Sequence, residues 1–321
     1  KTEMDRHRIP GLTLKILQTN REIKSAVYGL ANVELKAPVH PETVFEMGSL
    51  TKQFTAASIL LLQQHGKLSV DDKISRRLAD IPPAWSNITI RHLLNHTSGV
   101  RNYTGLDGFE MSKRLTQRQF IQALGAQPMD FPPGEQAKYC NSGYNLLGYI
   151  IESVSGKSYW SFLAERVWGP LGMTSCTNRD PAIIIANRAS GYVRKKGVLH
   201  NRDGDLTDVF SAGAIVSTIG DLAKWNAALD TDKVLNSSSR AQWWTPGKLN
   251  NGQECLYGFG WRIGQFNGHR NIGHSGSTSG FSASLQRFPE DQLAVIVLTN
   301  TDEQIATTLA RKVAFFYFQK R

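Results

Sequence analysis

The chain has 321 residues, 40% of them hydrophobic, with 37 Lys+Arg against 27 Asp+Glu for a formal charge of +10; a chain this long buries roughly three-quarters of its unfolded surface and needs no covalent staples. Its three cysteines, Cys140, Cys176 and Cys255, are odd in number and lack C-x-x-C spacing, which argues against a disulfide scaffold and a cysteine–zinc site. No stretch is apolar enough to span a bilayer, no signal peptide, repeat or low-complexity segment is read, and the scattered basic residues carry no nucleic-acid signature, so the charge reads as a basic surface.

In chain order, "LTLKILQTN" (12–20) and "REIKSAVYGLAN" (21–32) predict two strands around a polar turn. "SLTKQFTAASILLLQQ" (49–64) predicts a helix that is apolar nearly all round, hence buried. Shorter helices are expected in "TIRHLLNHTSG" (89–99) and in "TQRQFIQALGAQ" (116–127), the latter with Thr116 as N-cap. After the breaker "FPPGE", residues 141–156 place Leu146, Leu147, Ile150, Ile151 and Val154 on one helical face. Residues 158–173 predict another helix, residues 174–209 a polar loop region, and residues 217–229 and 237–246 further helices. Then "YGFGWRI", "RNIGHSG", "GFSASLQRFP" and "QLAVIVLTN" read as strands before a C-terminal helix from about 302. Strands at both ends enclosing a helical middle suggest one mixed sheet built from residues 1–75 and 210–321, with residues 76–209 a mostly helical region.

Three short stretches bear chemistry. Ser49 and Lys52 stand three apart, on one face of the buried helix. Serine needs a nearby base to become a nucleophile, and a lysine desolvated at a helix N-terminus has its charged form disfavoured. Read alone, the pair is more simply a helix cap beside a lysine that reaches out to water. Tyr139 and Asn141 precede the 141–156 helix, so a phenol able to relay a proton and an amide able to orient a lysine can face one cleft; the plainer reading is a buried tyrosine beside a capping asparagine. His274 sits among small residues in "NIGHSGSTSGF", where a substrate backbone could approach a strand edge whose N–H groups serve an oxyanion; by itself such a histidine is usually structural.

Together and in this order, Ser-x-x-Lys, Tyr-x-Asn and His-Ser-Gly resemble the serine β-lactamase and penicillin-recognising family, with flanking text ("IRHLLNHTSGV", "FPPGEQAKYCNSGYNLLGYIIE", "SAGAIVSTIGDLAKW", "YGFGW") nearest the branch of class C β-lactamases, D-aminopeptidases, DD-carboxypeptidases and related esterases. The resemblance spans roughly residues 8–318 and implies an α/β (α+β) fold, an antiparallel sheet from both termini flanked by helices, with the active site against a mostly helical second region. It implies Ser49 as acylated nucleophile, Lys52 as its proton acceptor, and Tyr139 as proton shuttle to the leaving group. Asn141 would position Lys52 and substrate, His274, Ser275 and Gly276 would line the binding strand, and the N–H groups of Ser49 and Ser277 would form the oxyanion hole. It implies no cofactor and no metal, a small-molecule ester, amide or β-lactam as partner, and a periplasmic or secreted location.

One departure shapes the expected activity. β-Lactamases usually carry lysine where this chain has His274, and a histidine of ordinary pKa is mostly neutral at pH 7, so weaker recognition of carboxylate-bearing substrates is expected. The leading reading is therefore an acyl-enzyme hydrolase of small esters or peptide-like amides with weak β-lactam hydrolysis. The alternatives are a true class C-type β-lactamase or DD-peptidase, and a non-enzymatic penicillin-binding receptor. No Gly-x-Ser-x-Gly elbow supports an α/β-hydrolase, and His92 with His96, though spaced to share a helical face, gives zinc little support. Residues 100–112, with Tyr103, and the 174–209 loop are expected to wall the pocket.

Overall fold

The computed structural model describes residues 2–106 and 112–319. Its centre is a seven-stranded sheet whose strands are β1 (Gly11–Gln18), β2 (Arg21–Asn32), β3 (Ala37–Pro38), β4 (Arg262–Phe266), β5 (His269–Thr278), β6 (Phe281–Phe288) and β7 (Leu293–Thr299), in the spatial order β4-β5-β6-β7-β1-β2-β3. Every neighbouring pair is antiparallel, so the sheet joining the two ends of the chain is not mixed. The β1–β2 hairpin turns at Thr19 and Asn20, with φ of 50° and 57°, the left-handed pair that matches the twist of a two-residue connection. β1 lies against β7 with Leu12 opposite Thr299, so the first strand fills the middle of the sheet.

The continuous apolar run of β7 follows from burial on both sides. Leu293, Val295 and Val297 join Leu12, Leu309, Ala310 and Ala314 under the C-terminal helix Ala306–Phe318. Ala294, Ile296 and Leu298 face the larger core, as the two-residue strand period requires. That core is organised by helix α1 (Thr51–Gln64), in which every residue from Thr51 to Leu62 is buried, and by α2 (Asn141–Ser155) and α3 (Ile219–Ala228). Phe54 of α1 stacks on Trp225 of α3 with centroids 4.2 Å apart. The expected face of α2 is buried at Leu146, Leu147, Ile150 and Ile151, and the helix stops at Gly156 in the left-handed conformation. Thr116 caps Gln117–Gly125 through a reciprocal bond with Gln119.

Several local expectations are corrected. Ser49 lies in a 3₁₀ turn (Gly48–Leu50) ahead of α1 and caps nothing with its side chain. "YGFG" is a turn, and its strand begins at Arg262. The 158–173 helix contains a π-helical turn at Ala164–Trp168, and the last helix starts at Ala306. The 174–209 region is not all loop: Tyr192–Lys195 and Val198–Asn201 pair as a hairpin. Among the described residues no helix is long and apolar enough to cross a membrane.

Candidate active site

The segment carrying Ser49 leaves the short strand Phe45–Glu46 and turns sharply through Gly48 at φ +51°. A Cβ there would come within 2.6 Å of Ser277 N, so only glycine lets the serine turn lie against the end of β5. The contact is mutual, since a Cβ on Gly276 would fall 1.8 Å from Met47 O. Ser49 and Ser277 are thus brought side by side by two glycines.

Lys52, in the first turn of α1, is wholly buried. Its Nζ lies 3.1 Å from Ser49 Oγ, 2.7 Å from Asn141 Oδ1 and 2.8 Å from Ala212 O, and 4.8 Å above the Tyr139 ring. Burial first, and the nearby Arg262 charge second, hold the ammonium well below its ordinary pKa. The lysine therefore does not reach out to water; it is hydrogen-bonded from within to a half-buried Ser49.

Tyr139 and Asn141 arrive on a segment moulded by residues 95–102. His96 O accepts from Lys138 N at 2.9 Å and His96 Nδ1 from Cys140 N at 3.1 Å. Cys140 packs inward with its thiol on Val100 O, and Asn102 Oδ1 accepts from Asn141 N at 3.1 Å. The Tyr139 hydroxyl is buried without a partner of good geometry among the described residues, although the Ser49 hydroxyl is close enough to oppose the strong upward push of burial on the phenol. Its ring packs on His96, with centroids 4.4 Å apart.

His274, on β5, is buried, and its Nδ1 lies 2.6 Å from Ser275 O, which can only accept. Nδ1 therefore carries the proton, and Nε2 accepts from the Tyr257 hydroxyl at 2.9 Å. Burial above all pushes its pKa down to about 3, so the imidazole is neutral for a stronger reason than its ordinary value. The cation that does reach this region is Arg262: exposed, without an ion pair among the described residues, and with Cζ 5.6 Å from the Tyr139 ring centroid.

Ser49, Lys52, Tyr139 and Asn141 therefore meet at one place, with the His274–Ser277 strand as its wall. His92 and His96 do not pair up as ligands: the helix ends at Leu94, His92 Nδ1 caps it by accepting from Thr89 N, and His96 stands beyond at φ +61°. Tyr103 is buried edge-on to Phe120 in the core, and residues 107–111 of the expected pocket wall lie outside the described residues. Sequence reading assigned no role to Asn102, Tyr257, Arg262 or Ala212, and weighed His96 only as a zinc ligand. Ala212 acts through its carbonyl, which leaves no residue-type signal, whereas the Asn-His-Thr-Ser-Gly turn at 95–99 was a signal available in the text.

The pattern that defines the Beta-lactamase family matches residues 1–316. Penicillin-binding protein 4* of Bacillus subtilis (strain 168) is 32% identical over 297 residues, covering 86% of this chain and 65% of the relative; the chain thus spans a little under two thirds of that relative's length. The penicillin binding protein from Bacillus halodurans is similar in structure, with TM-score 0.82, 28% identity and coverage of 99% of this chain and 98% of that one. The D-amino acid amidase from Ochrobactrum anthropi SV3 shares the fold at TM-score 0.85 and 23% identity, covering 100% of this chain and 97% of that one.

Proposed function

Because the chain belongs to the beta-lactamase family of serine hydrolases, we propose that Ser49 is acylated by small carboxylic esters or peptide-like amides and that water then releases the acyl group. The observation that carries this reading is the Lys52 environment. A neutral amine has two N–H donors and one lone pair. Asn141 Oδ1 and Ala212 O take the two donors, which leaves the lone pair for the Ser49 hydroxyl 3.1 Å away. With its pKa lowered by burial, the amine is in the state a base requires.

In the proposed sequence Ser49 Oγ attacks the carbonyl carbon while Lys52 takes its proton. The oxygen anion of the tetrahedral intermediate accepts from the N–H groups of Ser49 and Ser277. The proton passes through Tyr139 to the departing alcohol or amine. Water, deprotonated by the same tyrosine–lysine pair, then attacks the acyl carbon, the C–Oγ bond breaks with the proton returned to Ser49 Oγ, and the carboxylic acid leaves. His274 gives substrate no charge; Arg262, on the Tyr139 side, is the cation an anionic substrate group would meet.

A panel of a p-nitrophenyl ester, a D-amino acid amide and nitrocefin, run beside Ser49→Ala, tests the reading. Ester or amide turnover above nitrocefin turnover, all lost in Ser49→Ala, is the expected result. Nitrocefin turnover far above the others would make the protein a β-lactamase, and a stable adduct without turnover a penicillin-binding receptor.

A further inference from the structure

Behind the serine turn sits an acid that the mechanism above does not use. Glu46, two residues before Gly48, is 1% exposed. Its Oε2 accepts from Thr278 Oγ1 at 2.6 Å and its Oε1 from Arg179 Nε at 3.1 Å. Each partner belongs to a different wall of the site. Thr278 ends β5 and directly follows Ser277. Arg179 donates its main-chain N–H to Ala214 O at 2.7 Å, two residues beyond the Ala212 carbonyl that holds Lys52. The main chain of Glu46 pairs with Val216, and Met47 N donates to Ile215 O at 3.0 Å. One carboxylate thereby joins the segment bearing Ser49, the strand end bearing Ser277 and the chain bearing Ala212.

Burying a carboxylate is costly, and a neutral side chain would fill the same space without that cost. The charged groups facing it are Arg179 and, beyond it, Asp203, which pairs with Arg179 Nη2 at 2.9 Å and with Arg188 at 3.0 Å. Thr278 is held by this carboxylate alone among its side-chain bonds in the described residues.

We propose that Glu46 is a positioning residue for acyl transfer, clamping Thr278 so that the N–H groups of Ser277 and Ser49 stay aimed at one oxyanion position. The inference rests on the acyl-serine reading above. When Glu46 is ionised it accepts from both Thr278 and Arg179; protonation removes an acceptor and slackens the clamp. Burial lifts its pKa to about 7 against the opposing pull of Thr278 and Arg179, so the slackening falls in the neutral range.

The test uses the full chain with Glu46→Gln, Thr278→Val and the double variant, alongside Ser49→Ala. The readouts are the fluorophosphonate labelling rate of the folded fraction by intact mass, kcat and KM for a p-nitrophenyl ester, the pH profile, and melting temperature. Each single variant is expected to lower kcat and labelling by between about tenfold and a hundredfold, the scale of a small misplacement, with KM within about twofold. The double variant should lose no more than the worse single one, because both cut the same link. Glu46→Gln should also lose the fall in wild-type rate as pH drops through the neutral range. Wild-type kcat and labelling in Thr278→Val, or additive losses in the double variant, would overturn the proposal. If Glu46→Gln does not fold, Thr278→Val decides alone, since it leaves the Glu46–Arg179 pair intact. Full hydrolysis by Ser49→Ala would instead remove the acyl-serine reading, and the role of Glu46 with it.

Discussion

Lys52 is the residue on which local chemistry and stability pull in opposite directions. Its pKa in the folded chain lies well below the model-peptide value of 10.5, so between those two values the unfolded chain binds a proton that the folded chain does not. Stability contributed at this position is complete above about pH 10.5 and is lost as pH falls towards the depressed folded value. Lys52→Met should therefore abolish acylation of Ser49, while its stability relative to wild type improves steadily from about pH 10 to about pH 7. Denaturant melts across that range, beside labelling by a fluorophosphonate, check both halves; a relative stability independent of pH would contradict the buried-base account. Arg262 makes the complementary case at the rim. Being exposed and unpaired among the described residues, it can be replaced at little cost to the fold. Arg262→Gln should raise KM for anionic nitrocefin by roughly fivefold to tenfold, the scale of one ordinary net hydrogen bond at an exposed site, and leave KM for a neutral p-nitrophenyl ester unchanged.

At the scale of elements, the serine turn and the end of β5 are fitted to each other through glycine. Gly276→Ala places a methyl group 1.8 Å from Met47 O and 3.1 Å from Ser49 N, against backbone that cannot swing aside. We expect kcat to fall by at least about a hundredfold with circular dichroism near native; an active Gly276→Ala would show that the two segments need not touch. This scale also separates what was legible in the sequence from what was not. The periodicity of 141–155, the cap at Thr116 and the apolar run in 293–299 are local patterns, and each yielded its element. Ser49, Lys52, Tyr139, Asn141 and His274 were nameable because residue type and spacing reflect chemistry, and their resemblance to a known family tied them together. The Ala212 carbonyl, the His96 mould and the Glu46 clamp were not legible, because each depends on which distant backbone comes to lie beside it. Even the 3₁₀ start at Ser49 is imposed from outside, by the strand that Gly48 must clear.

Across the whole molecule, β1 lies in the interior of the sheet, between β2 and the four strands drawn from residues 262–299. Removing residues 2–20 would leave β7 and β2 without their shared partner and strip Leu12 and Leu17 from the two core clusters, uncovering Val295 and Val297 among others. Such a truncated chain should show no cooperative thermal transition, whereas an equally short cut elsewhere on an exposed loop should melt as one unit; a sharp transition in the truncated chain would mean that the sheet closes without its central strand. The same topology orders events at birth. During synthesis Ser49 and Lys52 are made well before the strand bearing Ser277, and that strand is locked in place through β6 and β7 against a β1 made first. The proposed site is therefore assembled only once strands far apart in the sequence have paired, so any event that separates β1 from β7 also undoes the wall beside Ser49.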